Sequence, residues 1–97
     1  MPPPERVFWR SDSCTVWVSY GDGGALVFNG DDRQYLDGYA YSITVAPDQF
    51  DKLRRALTAD SAVEVVDLVC THADEIMARG ERSWLDDHGI ERGFSSH

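Results

Sequence analysis

The chain has little of what would announce a chemistry. Two cysteines, Cys14 and Cys70, are too few for a disulfide framework. Two thiols in a small core are ordinarily reduced, buried and inert, and a single bridge between them stays open. No apolar run approaches the ~18 residues of a membrane span. The opening Met-Pro-Pro-Pro-Glu-Arg leads into a strand-like segment rather than the apolar core of a signal peptide, so the expected location is cytoplasmic. Basic residues are scarce: 9 Lys and Arg stand against 17 Asp and Glu, for a formal net charge of −8. Such a surface repels a phosphate backbone and an anionic membrane, so neither nucleic acid nor membrane is expected as a partner. Lys52, Arg54 and Arg55 lie close together, but they read as a solvated helix face.

Motifs for catalysis are missing as well. The sequence holds no CxxC, HExxH or GxSxG. Cys70 and His72 stand two apart in a helical pattern, so they point to different sides and cannot share a substrate or an ion. Asp31, Asp32 and Asp37 invite a calcium reading, yet they lack the alternating ligands and terminal glutamate of an EF-hand. They read as solvated loop carboxylates, and neither a metal nor a cofactor is expected. Gly21, Gly23 and Gly24 are followed by no lysine-serine and no helix, which leaves them as hairpin punctuation rather than a phosphate cradle. His88, beside Asp86 and Asp87, fits a cation favoured at a helix C-terminus better than a catalytic base. No catalytic residue is assigned, and the chain reads as a binding protein rather than an enzyme.

What is present is a pattern for one folded domain. With 42% hydrophobic and 11% aromatic residues spread along 97 positions, the chain is too apolar to stay disordered and too short for two domains. Val7-Phe8-Trp9 reads as a first strand. Cys14, Val16, Val18 and Tyr20 alternate with Thr15, Trp17 and Ser19, so Trp17 falls on the more polar face. Gly21 to Gly24 tolerate positive φ, and Ala25 to Phe28 follow at once, which predicts a hairpin. Asn29 to Gly38 is polar and bounded by glycine, and reads as a loop before a strand over Tyr39 to Val45.

From Pro47 the period changes. Phe50, Leu53, Ala56 and Leu57 share a helical face, predicting a helix from Pro47 to Leu57. Ser61 and Glu64 have capping-box spacing before Val63, Val66, Cys70, Ala73 and Met77, predicting a second helix to about Arg79 that Gly80 ends in the left-handed conformation. Ser83 to Ile90 reads as a short helix closed by Gly89. Ile90 to Phe94 can add a last strand, with Ser95, Ser96 and His97 fraying. Strands first and helices second predict an α+β fold: an antiparallel sheet of four or five strands with two or three helices packed on one face. Its predicted core is Val16, Val18, Val27 or Phe28, Ile43, Leu53, Leu57, Val66 and Val69.

The remaining feature is a surface. Trp17, with Phe8 or Trp9, is expected on the less apolar side of the sheet, beside an acidic loop carrying Asp31, Asp32, Tyr35 and Asp37. Aromatic anchors supply contact area, and clustered negative charge steers a basic partner. Asp31, Asp32, Tyr35, Asp37 and Trp17 are therefore the candidate partner-binding residues.

Tyr39-Ala40-Tyr41-Ser42-Ile43-Thr44-Val45-Ala46-Pro47-Asp48, then Leu53-Arg54-Arg55-Ala56-Leu57, and Trp84-Leu85-Asp86-Asp87-His88-Gly89-Ile90 together resemble small acidic proteins of actinobacteria. Some of these look like immunity proteins of polymorphic or contact-dependent toxin systems. The likeness spans about half the chain, and its motifs are structural: a strand into a Pro-capped helix, then a Gly-capped helix. It implies an acidic inhibitor that occludes a cognate toxin domain, often a cationic nuclease. It carries no functional residue across, because the matching positions are scaffold. The other readings are a small regulatory or scaffold domain that binds protein, and a small enzyme using Cys14 or Cys70 with a histidine.

Overall fold

The computed structural model describes residues 5–11, 14–32, 39–60 and 62–96. Alternating side chains in the first half build four strands, β1 (Arg6–Arg10), β2 (Cys14–Tyr20), β3 (Leu26–Asp32) and β4 (Tyr39–Val45). Four helices follow, α1 (Phe50–Ala56), α2 (Val65–Thr71), α3 (Ala73–Arg79) and α4 (Glu81–Asp87), before the last strand, β5 (Gly93–Ser96). The five strands form one antiparallel sheet in the order β1-β2-β3-β4-β5. The helices pack against it, which makes the chain an α+β fold.

Register explains the single core. Val18 pairs with Phe28, Phe28 with Ile43, and Ile43 with Phe94, so one row crosses four strands. Val18, Phe28 and Ile43 are fully buried, and with Val16, Leu26 and Val45 they meet Leu53, Leu57, Val65, Val69, Ile76, Leu85 and Ile90 from the helical layer. Of the two alternatives at 27 and 28 it is Phe28 that is buried; Val27 occupies the opposite face. The β2–β3 hairpin forms as the glycines predict. Gly21 donates to the Ala25 carbonyl at 2.8 Å, and Gly23 and Gly24 take φ of 69° and 80°.

Several expectations need correction. Asn29 to Asp32 are strand, not loop: Asn29 pairs with Trp17 and Ser42, Asp31 with Thr15 and Ala40. Their polarity marks the sheet face opposite the described helices, where Ser42 Oγ donates to Asn29 Oδ1 at 2.7 Å and Asn29 Nδ2 donates to Glu5 Oε2 at 3.2 Å. Phe8 and Trp9 do not share the side of Trp17. An irregularity between Val7 and Trp9 sets Val7 opposite Trp17 and Trp9 opposite Val16. An extra residue of this kind re-aims the strand. Phe8 is thereby buried edge-on against Phe28, ring centroids 5.1 Å apart, and Trp9 packs on the core.

In the helical half, Pro47–Gln49 form a 3₁₀ turn that leads into α1. The long helix predicted to Arg79 is two. Glu64 is extended, so the first begins at Val65, and at His72 (φ −106°, ψ 23°) α2 ends and α3 begins. Ser61 of the expected capping box lies outside the described residues. Gly80 separates α3 from α4 with φ 88° and ψ 136°, a positive-φ turn rather than the left-handed helical conformation. At Gly89 (φ 68°) the Ile90 amide donates to the Leu85 carbonyl at 3.0 Å and the Gly89 amide to Asp86 at 3.1 Å, the paired bonds of a Schellman cap. That cap folds Ile90 into the core. Ser95 and Ser96, expected to fray, pair with Ser42 and Tyr41. Among the described residues no helix is long and apolar enough to cross a membrane.

Burial on one face only gives a direct test. Leu53→Ala should cost ~2–5 kcal/mol, because the site lies in the closed core. Val27→Ser, on the opposite face, should stay within about 1 kcal/mol of the parent. Urea midpoints of the two variants check this, and equal losses would reject the assignment of faces.

Candidate functional site

Because the helices cover one side of the sheet, its other side presents Val7, Thr15, Trp17, Ser19, Val27, Asn29, Asp31, Ala40, Ser42 and Thr44. Trp17 is the large aromatic of this surface, flanked across the strands by Val7 and Asn29 and along its own strand by Thr15 and Ser19. Its ring is partly buried by these neighbours, while Val7 is 44% exposed. Asp31 shares the face two positions from Asn29, so the sheet does bring Trp17 and Asp31 to one surface.

Asp32 is different. It occupies the next register position, opposite Cys14 and Tyr39, and adjacent positions of one strand belong to opposite faces. The expectation that the two aspartates sit together in a loop is therefore corrected: both positions are strand, and only Asp31 holds one on the face of Trp17. Tyr35 and Asp37 lie outside the described residues. The face is not uniformly acidic either, since Arg10 takes the register position beside Thr15. The negative field of the protein thus comes from its net charge of −8 as a whole more than from this patch.

Among the described residues the other candidate groups stand apart from one another. Cys14 and Cys70 are partly buried thiols that are not joined in a disulfide. Burial pushes the Cys70 thiol up, with Arg6 pulling the other way and Asp67 and Glu64 adding to the rise, so the nucleophilic thiolate is disfavoured. His72 Nδ1 lies 3.9 Å from Glu75 Oε2 on the exposed side of α3. His88 tilts against Trp84, ring centroids 4.5 Å apart. The carboxylates beside it are engaged elsewhere: Asp86 accepts from Arg92 at 2.9 Å and Asp87 from Arg79 at 2.7 and 3.3 Å. Neither is hydrogen-bonded to the imidazole among the described residues. Among the described residues no three His, Cys, Asp or Glu converge to hold a metal ion. Arg54, within the basic triplet, donates to the Val63 carbonyl at 2.9 Å and tethers the segment after α1.

A clasp joins the sheet edge to α2, where Arg6 bonds Asp67 and the Tyr20 hydroxyl donates to Glu64 at 2.7 Å. A cleft of about 310 Å³ opens beside these four side chains. Burial and the bond to Glu64 both raise the Tyr20 phenol, which keeps it a donor. The clasp explains those four residues as structure.

Two buried polar residues escaped the sequence reading, Gln49, whose Oε1 accepts from the Glu91 amide at 3.1 Å, and Glu81. Glu81, in the first turn of α4, is only 7% exposed, and its Oε2 is buried without a hydrogen-bond partner among the described residues. Burial pushes its carboxyl above the ordinary range, partly offset by a hydrogen bond from Tyr41. Tyr41 reaches it because Gly30 lies opposite: a Cβ at position 30 would collide with the Tyr41 ring. Tyr41 also stacks on Phe94, centroids 6.2 Å apart, and Arg82 rests its guanidinium 4.5 Å from the Phe94 ring centre. Tyr41, Ile43, Glu81, Arg82 and Phe94 line a cleft of about 240 Å³. A glutamate beside an arginine after glycine looks like a solvated helix start, so only the tertiary fold reveals it. No protein-family model, curated protein or solved structure matches this chain.

The raised Glu81 carboxyl has a signed consequence for stability. A folded-state value above the unfolded one means that the folded state holds its proton more tightly, so stability is lost as pH rises through the shifted titration. Glu81→Gln keeps the shape and removes the charge. It should raise the urea midpoint at pH 7, and the gain should shrink toward pH 4; a gain that is the same at both pH values would contradict the burial of this charge.

Proposed function

We propose that this protein is an acidic binding protein whose open sheet face docks on a basic protein surface, and that it serves as an immunity protein occluding a cationic toxin domain. The observation that carries the docking face is Trp17, an aromatic side chain set among small and polar neighbours on the side of the sheet opposite the four described helices, with Asp31 on the same side. Aromatic residues of this kind anchor interfaces, and small neighbours let a partner approach the backbone closely. The charge of −8 supports a basic partner by attraction at long range and disfavours acidic ones. The toxin reading draws on the resemblance of the strand and capped helices between residues 39 and 90 to immunity proteins. In this reading the protein acts by covering a surface and has no catalysis of its own.

The partner is best sought by co-purification with the product of the neighbouring gene. With a partner in hand, Trp17→Ala should cost ~2 kcal/mol or more, mainly through faster dissociation. Asp31→Asn should slow association and flatten its salt dependence while dissociation changes less. Surface plasmon resonance at two ionic strengths separates these effects, with circular dichroism confirming that each variant folds. Unaltered kinetics in both variants would move the interface away from this face.

A further inference from the structure

A buried carboxyl with an orphan oxygen calls for an explanation, because an unpaired acceptor costs a full desolvation penalty and an uncompensated charge costs more. Glu81 sits 7% exposed at the corner where α4 meets β4 and β5, with Oε2 buried and unpartnered among the described residues. The same corner holds the cleft of about 240 Å³ that Glu81 lines together with Tyr41, Ile43, Arg82 and Phe94. Its composition is that of a receptor for a cation. A carboxylate supplies the opposite charge, the stacked Tyr41 and Phe94 rings supply π faces, and Ile43 gives an apolar wall for an alkyl stem. One of those faces already carries a cation, since the Arg82 guanidinium rests on Phe94 at 4.5 Å. The cleft is reached at the sheet edge, because β5 is the last strand of the sheet and Phe94 is 38% exposed.

We propose that this cleft receives one alkylammonium group, the side chain of a lysine on the basic partner, between Glu81 and the Tyr41–Phe94 pair. The proposal rests on the reading of a basic protein partner and not on the Trp17 face. An ammonium group brings up to three donors, so it can satisfy Oε2 while its stem covers Ile43 and the rings. Arg82 is the resident competitor: its charge opposes a second cation, and it must leave Phe94 when the ligand enters. An anionic ligand would meet Glu81 and the negative ring faces, and Arg82 alone would favour it.

The test uses the intact chain, isotopically labelled, titrated with n-butylammonium chloride and followed by NMR, with sodium chloride and n-butanol as controls. Saturable shifts centred on Tyr41, Glu81 and Phe94 are expected with n-butylammonium, with a dissociation constant near the millimolar range for so small a ligand, and not with either control. Glu81→Gln should weaken binding by roughly tenfold or more through loss of the charged acceptor. Arg82→Gln should tighten it roughly two- to five-fold, the worth of one exposed cation–π contact no longer in competition. Phe94→Leu, at the exposed edge of the cleft, gives a second, independently weakened variant. No saturable shift, equal shifts with n-butanol, or unchanged affinity in both the Glu81 and Phe94 variants would overturn the proposal. Those results would leave the Trp17 face untouched, because partner binding there is read from its own variants.

Discussion

Burial of the Val18–Phe28–Ile43 row against the helical layer is the constraint on which the rest of this structure depends. All four helices come between β4 and β5, so a single connection supplies the cover for the sheet. Short helices of seven residues have too little intrinsic stability to stand alone, and they persist because each contributes apolar side chains to that row. Leu53 comes from α1, Val65 and Val69 from α2, Ile76 from α3 and Leu85 from α4, all fully buried. With the helices gathered on one side, the opposite side of the sheet is left with Trp17 among threonine, serine and asparagine. The open face is thus a consequence of where the core was built.

The second dependency is smaller and more specific. Gly30 pairs with Tyr41, and the missing Cβ is what lets the Tyr41 ring lie across β3. From there the ring stacks on Phe94 and its hydroxyl reaches Glu81. One glycine in the sheet therefore shapes the wall of a cleft on α4, fifty residues away in sequence. Glycine inside a strand ordinarily weakens it; here it marks a close approach of side chain to backbone.

Most of the architecture was legible because the periods are strong. The alternation from Cys14 to Tyr20 and from Tyr39 to Val45 predicted the packed face, and Pro47, Gly80 and Gly89 marked changes of direction at the right places. The reading failed where polarity was taken for irregularity. Asn29 and Asp31 are strand residues whose side chains belong to an uncovered face, and no single-residue propensity separates that case from a loop. It failed again at Phe8 and Trp9, because a strand irregularity shifts the alternation by one residue and leaves no proline or glycine as a signal. The break at His72 is equally silent. Of the candidate site, the face of Trp17 was legible from alternation, whereas Asp31 was read as a loop residue and Glu81 was not read at all, since its burial comes from long-range packing of Tyr41 and Phe94.

The two surface features stand on different physical footing. Trp17 breaks no local rule: an aromatic residue on a half-covered strand is stable whether or not a partner exists. Glu81 does break one, because its charge is desolvated and one of its oxygens is buried without a partner among the described residues. Sequences that keep such a group commonly do so where the group acts, since function is what selects against the more stable alternative. The same logic discounts the Arg6–Asp67 and Tyr20–Glu64 contacts, which are acidic and clustered yet mutually satisfied and partly exposed. A satisfied pair describes how β1 and β2 are held to α2. The carboxyl of Glu81, by contrast, accepts from Tyr41 yet keeps one buried oxygen without a partner among the described residues, at a cleft that opens beside the exposed ring of Phe94.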